Sequence, residues 1–157
     1  MELFHRQKFA DAGLPDHFVQ DNYSISRKGT LRGLHYQIHQ AQGKLIQAVV
    51  GEIFDVVVDI RRSSPYFGQW VGVQLSSENR HQLWSPPGFA HGFYVLSEYA
   101  EVLYKVTDFY APEWERSLLW NDPQLGIDWQ LTDGHLPLLS PKDANGKPLS
   151  EAEVFSE

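Results

Sequence analysis

The sequence predicts an all-β fold, a double-stranded β-helix (jelly roll) with short peripheral helices. Three observations carry this. Short apolar runs alternate with a period of two, Gly, Pro, Asn and Ser turn signals separate them at roughly even spacing, and residues 17–110 show no helical period.

In chain order, residues 4–12 read as a short helix that ends at Gly13 and is blocked by Pro15. Phe54, Val56, Val58 and Ile60 alternate with Asp55, Val57, Asp59 and Arg61, which predicts a strand with one buried face. After a turn at residues 62–65, residues 70–75 alternate again, and a second turn at 76–79 precedes a strand at 81–84. Pro86-Pro87-Gly88 interrupts the backbone before an aromatic-rich strand at 89–96. Residues 100–109 then put Val102, Tyr104 and Val106 on one face. From Ala111 the pattern changes: Trp114, Trp120, Trp129, Leu136, Leu138 and Leu139 lie scattered among polar residues, as in a tail that wraps a barrel. Ser150-Glu151-Ala152-Glu153 has capping-box spacing and predicts a short closing helix. No repeat, linker or low-complexity segment interrupts the chain, so residues 1–157 are expected to form one domain.

Composition narrows the function. With 42% apolar and 21% charged residues the chain is an ordinary globular protein. The absence of cysteine excludes disulfides, thiolate chemistry and sulfur-ligated zinc. No apolar run approaches a membrane span, and Met1-Glu2-Leu3-Phe4-His5-Arg6 lacks the apolar core of a signal peptide, so a cytoplasmic address is expected. A net charge of −7 argues against nucleic acid as a partner. Residues 27–62 nevertheless carry six basic side chains against three acidic ones, which suits an anionic small molecule as well as it suits solvated strand ends.

Within that basic stretch, Leu31-Arg32-Gly33-Leu34-His35-Tyr36-Gln37 is followed by Gly43-Lys44-Leu45. Alternation puts Leu31, Gly33, His35 and Gln37 on one face and Arg32, Leu34 and Tyr36 on the other. Neither face is wholly apolar, so one must look into something polar, which in a small barrel is a ligand cavity. A packed structural histidine and a plain surface lysine are the plainer alternatives. Tyr104 on a buried face either packs or delivers a proton; a histidine base and a tyrosine acid across one cavity suit proton movement at carbon. Pro86-Pro87-Gly88-Phe89-Ala90-His91 fits the P-x-G-x-x-H turn of cupins, which points to a cupin-like barrel. A metal site of His35, His39 and His91 is an alternative, but Gln37 stands where a second imidazole would be needed and the usual carboxylate is missing.

Six segments occur in one order: Val19-Gln20-Asp21-Asn22, Leu31 to Gln37, Gln42-Gly43-Lys44-Leu45, Phe54-Asp55-Val56-Val57-Val58-Asp59, Pro87-Gly88-Phe89-Ala90-His91-Gly92-Phe93 and Trp120-Asn121-Asp122-Pro123. Together they closely resemble the dTDP-4-dehydrorhamnose 3,5-epimerase family, from Glu2 to about Lys147. The resemblance implies epimerisation of a dTDP-4-keto-6-deoxy sugar at C3 and C5, without metal or redox cofactor, by a homodimer. It implies His35 as the general base, Asp143 as the carboxylate that orients it, Lys44 as the stabiliser of the enolate oxygen, and Tyr104 as the proton donor on the opposite face. Arg32 and Lys142 match groups that meet the diphosphate, and Gln20, Asp21, Asn22, His91 and Glu115 match polar substrate contacts. Tyr110 matches an aromatic residue that stacks on thymine; ordinary packing beside Phe109 and Pro112 is the alternative for it, and a salt bridge the alternative for Glu115. If Arg32 and His35 both act, the chain near Gly33 must bulge or twist, or Arg32 must serve a neighbouring subunit.

The family also carries an upstream strand and a D-x-R-G-x-F-x-E loop whose arginine and glutamate bind the nucleotide. Glu2 matches that glutamate, and the arginine and first strand have no counterpart here; the alternatives are a sequence that starts late and a natural short form with weaker nucleotide binding, and the dimer that this strand helps knit is left open with them. The competing functions are a single-centre epimerase or ketoisomerase on a related nucleotide sugar, a metal-dependent cupin enzyme, and a non-catalytic sugar-nucleotide binder.

Overall fold

In the computed structural model, which describes residues 1–156, nine strands form two antiparallel sheets. Helix α1 (Arg6–Asp11) precedes β1 (Gln20–Arg27), β2 (Leu31–Gln37), β3 (Lys44–Val50) and β4 (Glu52–Asp59). There follow β5 (Trp70–Ser76), β6 (Leu83–Ser85), β7 (Phe89–Val95), β8 (Tyr99–Val106), β9 (Glu115–Ser117) and helix α2 (Pro141–Ala144). One sheet runs β1-β8-β3-β6 and the other β5-β4-β7-β2-β9, the jelly-roll arrangement that the turn spacing predicts. The helical signal at residues 4–12 becomes α1, whose N-cap His5 accepts from the Lys8 N–H.

Two apolar layers hold the sheets. Between them lie Ile46, Ala48, Ile53, Leu75, Phe93, Val95, Ala100 and Val102. The outer face of the five-stranded sheet is covered by the tail: Leu118, Trp120, Leu125, Trp129 and Leu149 pack on Leu34, Tyr36, Phe54, Val56, Val58 and Ile60. Trp120, Trp129 and Leu139 of the tail therefore wrap the barrel as expected, whereas Trp114, Leu136 and Leu138 stay exposed, and Trp129 Nε1 donates to the Trp120 carbonyl at 2.7 Å.

This cover overturns one expectation. β4 is buried along both faces, not one, because β5 and β7 flank it, the tail closes its outer side and the opposite sheet closes its inner side. Its aspartates therefore face inward: Asp55 and Asp59 are 0% and 2% exposed. The closing helix is also corrected. Leu149–Glu151 form one 3-10 turn capped by Pro148, with no side-chain cap from Ser150. The chain then extends so that Phe155 can exchange hydrogen bonds with Ile60 and Arg62, which leaves too few residues for an α-helix.

Simple alternation fails in β2 as well. The β2–β7 register shifts between Arg32 and His35, and Gly33 has φ +127°, so Arg32 and His35 come to the same cavity. A Cβ at Gly33 would lie 2.5 Å from Gly92 Cα and 2.8 Å from the His91 carbonyl oxygen. Only glycine tolerates both that backbone angle and that approach. Gly33→Ala is expected to lower stability by about 2–3 kcal/mol, read as a drop in the urea midpoint at unchanged slope; an unchanged midpoint would show that the bulge relaxes freely.

Candidate active site

The two sheets diverge around a cavity of about 310 Å³. His35 enters it from β2 in the five-stranded sheet, while Lys44 on β3 and Tyr104 on β8 enter from the four-stranded sheet. Base and phenol candidates thus face one space from opposite walls.

Behind His35 stands Asp143. Its Oδ1 pairs with His35 Nε2 in a short contact and accepts from the Gly33 N–H at 3.3 Å; its Oδ2 accepts from Ser140 Oγ at 2.8 Å. Ser140 is also the N-cap of α2, accepting from the Asp143 N–H, so one short helix aims the carboxylate. Burial works to raise the Asp143 pKa, but the donors from His35, Ser140 and Gly33 outweigh it and hold the group below its ordinary value. Burial also lowers the His35 pKa, against the pull of Asp143, with Lys142 and Lys44 adding to the fall. The imidazole is therefore neutral near pH 7, as a general base must be.

Lys44 is 8% exposed, and burial depresses its pKa to about 8, with Glu115 and Asp55 resisting the fall. Tyr104 moves the other way: burial and the nearby Glu115 raise its pKa, keeping the phenol protonated. Its alternation with Val102, read from sequence as a buried face, is what turns it inward.

The remaining predicted residues divide. Gln20, Asn22, Arg32, His91, Tyr110, Glu115 and Lys142 all line the cavity. Gln20 Nε2 donates to Asn22 at 2.9 Å, and Arg32 Nε donates to Ser26 Oγ at 2.8 Å. Lys142 Nζ and the Tyr110 hydroxyl both donate to Glu115, at 2.9 and 3.0 Å. Burial opposes ionisation of Glu115, but Lys142 prevails and keeps its pKa low. Asp21 and Glu2 do not join them. Asp21 alternates with Gln20 and Asn22 and so faces outward, paired with Lys105 at 3.0 Å; Glu2 is paired with Lys8 at 2.8 Å beside α1.

The three-histidine metal site does not assemble. His39 packs edge-on against Trp114 with ring centroids 4.5 Å apart, and among the described residues no three His, Cys, Asp or Glu side chains could hold a metal. Gln37, standing in the place of a second imidazole, braces the cavity rim by donating to the Gln40 and Phe109 carbonyls and accepting from the Ala111 N–H.

Asp55 was not among the predicted site residues. It lies behind His91, bonded to His91 Nε2 at 2.6 Å. Its signal in the sequence is a carboxylate on the polar face of an alternating strand, a face that the pattern alone assigns to solvent.

Comparison with known proteins identifies the family. A sequence profile of the dTDP-4-dehydrorhamnose 3,5-epimerases matches residues 1–151. The chain is 62% identical to the dTDP-4-dehydrorhamnose 3,5-epimerase of Pseudomonas aeruginosa, over 98% of this chain and 84% of that protein. It is 55% identical to the Shigella flexneri enzyme of the same name, over 99% and 85%. The crystal structure of dTDP-6-deoxy-D-glucose-3,5-epimerase from Legionella pneumophila in complex with dTDP-4-keto-L-rhamnose superposes with a TM-score of 0.95 at 54% identity, covering 99% of this chain and 84% of that one. The 3'-monoepimerase ChmJ of Streptomyces bikiniensis, determined with dTDP-quinovose, is more distant, at 37% identity and a TM-score of 0.87 over 95% and 75%. With that match across nearly its whole length, the chain belongs to the dTDP-4-dehydrorhamnose 3,5-epimerase family.

Proposed function

We propose that this protein epimerises dTDP-4-dehydro-6-deoxy-D-glucose at C3 and C5 to dTDP-4-dehydro-L-rhamnose, a step of dTDP-rhamnose biosynthesis. The observation that carries the mechanism is the facing of His35 and Tyr104 from opposite sheets across one cavity. The C4 ketone acidifies the protons on C3 and C5. His35, kept neutral and oriented by Asp143, removes one of them, and the electron pair moves to the C4 oxygen. The Lys44 ammonium stabilises that enolate in a largely dehydrated site. Tyr104 then returns a proton to carbon from the other wall, which inverts the centre. Each inversion leaves His35 with one proton more and Tyr104 with one fewer, and exchange with solvent restores both.

Arg32 and Lys142 meet the diphosphate with charge-assisted hydrogen bonds, Tyr110 stacks on the base, and Gln20, Asn22, His91 and Glu115 fix the sugar. Glu2 and Asp21 take no part in sugar binding within this chain. We read residues 1–157 as one domain, acting in the cytoplasm as a homodimer. The free edge of β1 supports the dimer: it ends its sheet and exposes Tyr23 and Ile25.

In deuterated water the sugar is expected to take up deuterium at both C3 and C5; uptake at C3 alone would make the chain a monoepimerase, and none from folded protein would reject the reading. His35→Ala should cut exchange by roughly 10²–10⁴-fold. Tyr104→Phe should cut inversion comparably while exchange through His35 continues, a split visible by NMR of the product.

Activity should rise as His35 loses its proton, below the usual histidine value of 6.5, and fall as Lys44 loses its own near pH 8. Lys44→Met should remove the alkaline limb together with most of kcat. For assembly, light scattering is expected to give about twice the chain mass of 18.0 kDa; a single-chain mass would reject the dimer.

A further inference from the structure

The mechanism above uses one carboxylate–imidazole pair, and the cavity holds a second. His91 is the cross-strand partner of His35 and lines the same space. Its Nε2 meets Asp55 Oδ1 at 2.6 Å, with side chains 7% and 0% exposed. Among the described residues Asp55 Oδ2 is buried without a hydrogen-bond partner. A carboxylate hidden this way costs free energy unless something nearby uses its charge. The neighbouring inward positions of β4, Ile53 and Val57, are apolar, so packing alone does not call for an acid there.

Two neighbours of Asp55 can use that charge. Because a carboxylate accepts, Nε2 of His91 carries the proton in this bond, and Nδ1 is the ring atom left for a ligand. Lys44, buried in the same cavity, needs a counter-charge. The acids that act on it are Glu115 on β9 and Asp55 on β4, while Lys142 on α2 opposes it. Arg32 and His35 on β2, His91 on β7, Tyr104 on β8 and Tyr110 also line the space. Glu115 is already committed to Lys142 and Tyr110, whereas among the described residues Asp55 bonds no lysine or arginine.

We propose that Asp55 is a positioning residue for this reaction: one oxygen locks His91 in the Nε2–H form with Nδ1 free for the sugar, and its charge balances the Lys44 ammonium. The inference rests on reading the cavity as the epimerase site.

Asp55→Asn separates the two roles, since the amide oxygen still accepts from His91 while the charge is lost. The expected result is an alkaline limb of kcat displaced to lower pH, a fall in kcat of about tenfold at pH 8 and a KM within about twofold. A folded variant with an unmoved limb and unchanged kcat would overturn the charge role. The other role is read in the unmodified protein by ¹⁵N NMR of His91: Nε2 should carry the proton, and a neutral ring protonated on Nδ1 would overturn the lock. If Asp55→Asn fails to fold, direct ¹⁵N titration of Lys44 in the unmodified protein decides the charge role. Loss of its proton near pH 8 or above supports that role, and a neutral Lys44 at pH 7 overturns it. These NMR readings are independent of turnover. Absence of solvent exchange by the unmodified protein would instead reject the epimerase reading.

Discussion

The hydrogen bond between His35 and Asp143 joins positions 108 residues apart, and much of the molecule is arranged so that it can form. Asp143 reaches β2 only because the tail returns over the five-stranded sheet. Leu118, Trp120 and Trp129 bury themselves on its outer face, and Leu138 exchanges hydrogen bonds with Leu31 and Gly29 beside the strand. Ser140 then starts α2 and turns the carboxylate inward. From the other side, the bulge at Gly33 brings a backbone N–H to the same Asp143 oxygen. Apolar packing thus positions an acid that packing alone would exclude, and three donors offset the cost of burying it.

The same bulge explains what could and could not be read from the sequence. Period-two alternation located most of the strands because half-buried strands must alternate. It misjudged β4, whose outer face is closed by a tail with no period of its own. Alternation assigns Asp55 to solvent for that reason. In β2 alternation put Arg32 and His35 on opposite faces, and the irregularity that unites them depends on a glycine meeting Gly92 of another strand. The contact with Gly92 is tertiary and unreadable locally; the bulge near Gly33 is expected only once the resemblance asks Arg32 and His35 to act together. The inward face of Tyr104 was legible from its own strand. The partnership of Asp143 with His35 was not, and came only through resemblance to a family.

Opposed walls explain why a sandwich suits this chemistry. A single sheet would offer acid and base to the same side of a sugar ring, and a proton returned to the side it left restores the original centre. In the proposed mechanism, with His35 on one sheet and Tyr104 on the other, a ring bound between them would meet a base on one face and an acid on its opposite. Burial acts on the two groups in opposite senses, lowering the imidazole and raising the phenol, because in each case it disfavours the charged form. One dehydrated cavity therefore prepares a neutral base and a neutral acid together.

The same dehydration works against Lys44, which in the proposed mechanism must be charged to hold the enolate. A cation buried alone would shed its proton, so the cavity has to retain negative charge without placing it near the C4 oxygen, where it would repel the developing anion. Glu115 is partly neutralised by Lys142. Asp55 sits behind His91, withdrawn from the cavity lining but buried enough for its field to escape strong screening by solvent. A second aspartate–histidine pair beside the first is therefore no duplicate. In the proposed mechanism Asp143 serves the group that takes the proton, while Asp55 maintains the charge that receives the electrons.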